Sequence, residues 1–157
     1  ELGCNKIALG HHFNDVIETT LIGMFYGSQL QAMLPKLHSR NFENMELIRP
    51  MYMIHEDAIK EWCAVNELTF IQCACRFVEA RDKSIDGVGD SKRQEIKVLL
   101  RQMREKDPDI EKSIFNSIHT VTLDTFPGWK IHGESYSYLE DYDQWPDTFA
   151  SMTKRKE

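Results

Sequence analysis

An α/β fold is predicted for this chain: a parallel sheet followed by C-terminal helices. Three observations predict it. Short apolar stretches stop at Gly, Pro or a polar residue: "NKIALG" (5–10), "ELIRP" (46–50) and "LTFIQC" (68–73). Helical apolar spacing lies between successive stretches, and the order strand–helix–strand–helix–strand is the grammar of a parallel α/β sheet. Beyond residue 76 the regular apolar spacing is helical only.

The first stretch predicts a strand ending at Gly10. From Asn14 to Gly27 the period becomes helical, with Ile17, Leu21, Met24 and Phe25 on one face, and Gly27 and Ser28 stop it. "PKLHSRNFENME" (35–46) is polar, starts with Pro35 and reads as a surface loop. A second strand follows at 46–50. "HEDAIKEWCAVNEL" (55–68) reads as a helix with acids in its first turn and Ile59, Trp62 and Cys63 on one face. A third strand is expected over 68–73. "RFVEARDKSIDGVGD" (76–90) is charged and punctuated by Gly, hence a loop. Residues 91–106 form an amphipathic helix with an apolar stripe of Ile96, Leu99, Leu100 and Met103. Asp107-Pro108 then opens a helix running through Ile110, Ile114 and Ile118. The last thirty residues are aromatic, acidic and without period, so they read as a loosely docked tail. No internal repeat occurs.

Composition bounds the function. The 157 residues are 41% apolar and 28% charged, an ordinary globular balance with room for one core. No apolar run approaches the roughly 20 residues of a membrane span, and the start does not read as a signal peptide. A cytoplasmic protein with no membrane partner is expected. The opening Glu1-Leu2-Gly3-Cys4 resembles the end of a helix whose body is absent, so a fragment, or a processed chain, is expected. Cys4, Cys63, Cys73 and Cys75 are too few and too scattered for a disulfide scaffold. The net charge of −6 argues against a nucleic-acid partner overall. Residues 91–106 nevertheless carry six Lys/Arg against two Glu, while residues 134–147 carry five acids and no Lys/Arg.

Ligands of parallel α/β sheets bind outside the carboxyl ends of the strands, where helix N-termini present free N–H groups. Gly10–Asp15, "GHHFND", falls at such a place. Gly10 lets the backbone approach a phosphate, His11 and His12 can donate to it, and Asp15 can hold Mg²⁺ or a water. The structural alternative is that Asp15 and Glu18 form a capping box while the histidines line the turn. Zinc is disfavoured, because the block lacks the i, i+4 histidine pair of H-E-x-x-H.

"KIALGHHFNDVIETTLIGMFYG", followed by "MLPKL" and "LIRPM", resembles the PP-loop ATPases (N-type ATP pyrophosphatases) that modify tRNA. The "MFYG" block, with a cysteine pair ending the third strand, is most similar to the tRNA 2-thiocytidine synthetase family. The resemblance covers roughly residues 1–120. It implies the C-terminal part of an adenine-nucleotide alpha hydrolase-like, Rossmann-like sheet. It also implies adenylation of a base carbonyl oxygen by Mg-ATP, with sulfur then displacing AMP. The nucleotide-side motif corresponds to Gly10, His11, His12 and Asp15, with Asp15 the catalytic residue. Cys73 corresponds to the third ligand of a [4Fe-4S] cluster. The implied partners are tRNA, a sulfur donor and the N-terminal half of the same protein; a homodimer is also allowed. On this reading 1–80 belongs to the PP-loop domain, 81–125 to a helical extension and 126–157 to the tail.

The departures are equally specific. No SGGxDS loop and no upstream C-x-x-C occur in these residues. Asn14 stands where relatives usually carry the first of two aspartates, which removes a charge from an expected metal or ATP contact. The second cysteine motif is C-x-C, so Cys75 is displaced from the cluster. Without the family, a buried cysteine pair at a strand end accounts for Cys73 and Cys75; Cys63 reads as core and Cys4 as core or edge. The basic helix 91–106 reads either as a solvated face or, through Lys92 and Arg93 together with Arg76, as a contact for tRNA phosphates. Another PP-loop activity, such as lysidine synthesis, and a non-catalytic nucleotide- or RNA-binding module are the rival functions.

Overall fold

The computed structural model describes residues 3–39, 41–69, 88–131, 133–140 and 142–144. The chain divides into two compact units, Glu1–Ile118 and His119–Glu157. In the first unit β1 (Lys6–Ala8) leads into α1 (Phe13–Gly27), then β2 (Lys36–His38), β3 (Glu46–Ile48) and α2 (Glu56–Val65). Two further helices, α3 (Val88–Lys106) and α4 (Ile110–His119), follow, the latter ending one residue past the unit boundary.

The sheet order is β1–β3–β2. β1 and β3 are parallel, with Ile7 opposite Leu47, as two strands joined through a helix must be. β2 corrects the expectation of a plain loop over 35–46 and of a purely parallel sheet. It runs antiparallel to β3, with Leu37 opposite Leu47. The cause is electrostatic as much as apolar. Lys6 on β1 and Lys36 on β2 both reach the central Glu46, at 3.2 and 2.8 Å. Their hydrogen bonds hold the Glu46 carboxyl below its ordinary range. Opposite charges across strands fix register on a sheet too short to fix it by apolar pattern alone. The third strand expected over 68–73 lies outside the described residues from position 70 on.

α1 is the central element. Phe13, Val16, Ile17 and Leu21 are buried, together with Tyr52, Ile96 and Leu100 of α3, and Phe115 of α4. Phe13 stacks on Phe115 at 4.5 Å. The expected apolar face is buried only in part: Ile17 and Leu21 are buried, but Met24 and Phe25 are exposed, because the core is formed on the first three turns of the helix. At its end Ser28 takes a left-handed φ of 51°, and the Gln29 N–H returns to the Gly23 carbonyl at 3.0 Å. A Cβ on Gly23 would lie 3.0 Å from the Gln29 carbonyl oxygen, so this close return requires glycine.

α2 forms where its acids and spacing predict, yet none of its residues is buried, and Trp62 is 60% exposed. Cys63 is half-buried and Cys4 exposed, so neither is a core residue. α3 starts three residues before the expected helix and buries Ile96 and Leu100 as anticipated, with Leu99 and Met103 half-buried. Asp107 accepts the Asp109 N–H at 3.0 Å and turns the chain from α3 into α4.

The second unit is not patternless. β4 (Gly128–Ile131) and β5 (Glu134–Ser137) form an antiparallel hairpin with Trp129 opposite Tyr136, their rings 6.0 Å apart. Gly133, at φ 91°, makes the turn. A single Gly flanked by aromatic alternation was the available signal.

Ile96→Ala is expected to destabilise the protein by about 2–5 kcal/mol, because a fully buried side chain leaves a cavity. Val98→Ala, on the exposed side of the same helix, should stay within about 0.5 kcal/mol. Urea denaturation of both variants checks the pair.

Candidate nucleotide site

Gly10–Asp15 leaves the carboxyl end of β1, and the Leu9 N–H still pairs with the Ile48 carbonyl at 2.9 Å. The turn therefore sits where α/β sheets place ligands. Gly10 is exposed and outside the left-handed region, and a Cβ there would meet only the Met51 methyl at 3.6 Å. Nothing within the described chain demands glycine at this position.

The capping box expected from Asp15 to Glu18 does not form. His12 is the N-cap residue, and Asp15, at the third helical position, accepts the His12 backbone N–H on Oδ2 at 3.1 Å. The helix starts three residues earlier than that box requires, which moves Glu18 a full turn inside. The His12 ring turns Nε2 to within 3.3 Å of the same Asp15 oxygen. Its Nδ1 is buried and meets no hydrogen-bonding partner. His11 is held from the other side, because Nδ1 accepts from Arg49 Nε at 3.3 Å. Arg49 follows β3 and is fixed in turn by a hydrogen bond to the Leu34 carbonyl. Both histidines are half-buried rather than packed in the core.

Asn14 does not face this turn. It is 7% exposed, its Oδ1 accepts the Glu56 N–H at 2.9 Å, and its Nδ2 lies 3.5 Å from Glu111 Oε1. Position 14 therefore joins α1 to the starts of α2 and α4, and Asn14 also lines the cavity beside them. Arg104 completes the network, donating from Nη2 to both Glu111 oxygens at 2.6 Å and from Nη1 to Asp57 at 3.1 Å. A cavity of about 170 Å³ adjoins it, lined by Glu18, Glu56, Lys60, Lys97 and Arg101 among others.

Glu18 is the group that sequence reasoning misread. It is 3% exposed, and burial pushes its carboxyl above the ordinary value of 4.5 against the opposing pull of Lys97 and Arg93. Arg93 Nε lies 3.5 Å from Glu18 Oε2 and Nη1 lies 3.9 Å from Asp15 Oδ1. Lys97 reaches Glu18 Oε1 at 3.8 Å. Lys92 sits 4.9 Å from the centre of the Tyr26 ring. Cys73, Cys75 and Arg76 lie outside the described residues. Among the described residues no group of three His, Cys, Asp or Glu side chains could hold a metal. No described helix is long and apolar enough to cross a membrane.

Comparison with known proteins defines the class. Residues 1–75 match the PP-loop domain family. Curated relatives are similar over a longer stretch. The chain is 38% identical over 121 residues to a tRNA-cytidine(32) 2-sulfurtransferase of Syntrophotalea carbinolica, covering 77% of this chain and 43% of the relative. It is 37% identical over 122 residues to the protein of that name from Alcanivorax borkumensis, covering 77% and 39%. It is 32% identical over 143 residues to that of Paraburkholderia phytofirmans, covering 86% and 40%. The chain thus spans about two-fifths of the length of these relatives.

The Glu18 environment carries a pH signature. Its folded-state pKa is raised, so between 4.5 and that raised value the folded chain holds a proton that the unfolded chain has released. The stabilisation is complete below 4.5 and is lost as the pH rises through the folded pKa. Glu18→Gln should flatten this decline in a melting series from about pH 4 to 7. A slope identical to wild type would contradict the assignment to Glu18.

Proposed function

We propose that this chain is the C-terminal part of an ATP-dependent tRNA 2-thiolase, acting on a cytidine base as its relatives' name describes. In this reading residues 1–80 complete a Rossmann-like PP-loop sheet, 81–125 form a helical extension and 126–157 a C-terminal tail. The observation that carries the reading is the Gly10–Asp15 turn at the carboxyl end of β1. It combines an approachable Gly10 backbone, an unpartnered His12 Nδ1 and a carboxylate fixed on α1.

These residues fit a nucleotide. Gly10 is exposed, so a phosphate or sugar can approach its backbone, and His11 is oriented by Arg49. Asp15 presents Oδ1 to the site while Oδ2 is held by His12, the arrangement a preorganised catalytic carboxylate needs. Mg²⁺ and a [4Fe-4S] cluster ligated by Cys73 belong to the reading as implications of the family. The described residues do not fit either alone, since Asp15 brings one carboxylate and no described cysteine lies at the turn. Arg76 and Lys92 are the proposed tRNA contacts; the tRNA, a sulfur donor, the N-terminal half of the same protein and a second copy are the proposed partners. A cytoplasmic setting is part of the same proposal.

Asp15→Asn tests it in the natural gene product. The fold should change little, since a cap contributes only about 1 kcal/mol and the amide oxygen still accepts the His12 N–H. ATP-dependent thiolation of tRNA should fall about tenfold or more. Wild-type turnover in this variant would reduce Asp15 to a helix cap. Consumption of ATP without sulfur incorporation by the unmodified protein would favour another PP-loop activity, and ATP or RNA binding without turnover a non-catalytic module.

A further inference from the structure

Glu18 and Asp15 lie one turn apart on α1, and one guanidinium spans them. Glu18 Oε2 is buried without a hydrogen-bond partner, a state a carboxylate sustains only beside a countercharge. Arg93 and Lys97 of α3 supply that countercharge. Arg93 cannot turn to solvent without leaving the buried Glu18 to Lys97 alone. Its guanidinium is thereby kept with Nη1 directed at Asp15 Oδ1, the oxygen that His12 leaves free.

We infer that Arg93 is a positioning residue of the nucleotide turn, anchored by Glu18 and acting through Asp15, and not a contact for tRNA phosphates. This rests on the function proposed above and deepens it. Glu18 fixes where the guanidinium sits, and Arg93 fixes where Asp15 Oδ1 points and which charge it faces. A planar fork can address two carboxylates at once, which a lysine ammonium does less well. The pairing also couples α3 to α1, so a helix remote in sequence completes the site.

Two measurements on the natural gene product test this. The first needs no substrate. Arg93→Gln should lower the melting temperature by more than the double variant Glu18→Gln/Arg93→Gln does, because the single change strands a buried charge. The second separates positioning from RNA contact. Arg93→Gln should lower kcat for ATP-dependent thiolation about tenfold, with the KM for tRNA and the salt slope of tRNA binding unchanged, and Arg93→Lys should recover part of the rate. Glu18→Gln, which touches no substrate, should lower kcat in the same way. A salt slope smaller by about one with kcat retained would make Arg93 a phosphate contact and overturn the inference. Additive melting shifts would overturn the anchor, and with it the inference. An unmodified protein inert toward ATP would instead overturn the proposed function itself, and this inference with it.

Discussion

The first unit depends on one buried amide. Asn14 sits on the first turn of α1 and uses both ends of its side chain, accepting from the start of α2 and approaching Glu111 on α4. Arg104 of α3 closes the same node through Glu111 and reaches back to Asp57 on α2. Four helices thus meet in one polar network beside an apolar core formed by Phe13, Ile17, Ile96 and Phe115. Buried polar groups carry a desolvation penalty, and this network is stable because its members satisfy one another. An aspartate at position 14 would place a second carboxylate against Glu111 and lose the donor that Asn14 supplies. The residue that reads from sequence as a missing charge is, in space, a buried amide that ties three helices together.

That inversion marks the boundary of what the sequence discloses. The elements with strong local signals were legible. These are the strand before Gly10, the α1 and α3 patterns, the Asp107 turn and the placement of Gly10–Asp15 at a strand end. Local signals gave the wrong answer where a distant partner decides. The capping box was assigned from Asp15 to Glu18 by spacing, but Phe13 already donates its N–H to the Ile54 carbonyl, and the helix begins there. β2 exists because Leu37 and Lys36 find β3, and no periodicity over three residues could announce it. The exposure of Trp62 was equally invisible, since amphipathic spacing records that a face is apolar and not what meets it.

The basic helix shows the same limit from the side of charge. Six cations on 91–106 read as a surface for phosphates, yet Arg93, Lys97 and Arg104 face carboxylates of α1, α2 and α4, and Lys92 lies over Tyr26. The acids they meet are not their neighbours in sequence: Glu18 lies on α1, Asp57 on α2 and Glu111 on α4. Composition therefore counted as free three cations, Arg93, Lys97 and Arg104, that carboxylates of other helices face. Lys and Arg in i, i+4 rows signal nucleic acid only when the opposing carboxylates are elsewhere.

Balance of this kind extends to Asp15. A carboxylate at a helix N-terminus is already favoured by the N–H groups and the dipole, so a cap alone needs no further cation. Asp15 receives the His12 N–H and the His12 ring on one oxygen and faces a guanidinium with the other. The guanidinium is present because Glu18 is buried one turn away and holds it there. Structural economy would have placed an apolar residue at position 18, as an uncompensated buried carboxyl destabilises the charged fold. The chain instead keeps a buried acid whose one evident effect is to station Arg93 beside the turn. The stability lost at Glu18 and the orientation gained at Asp15 are two sides of one arrangement, the pattern expected where a site, rather than a core, has set the sequence.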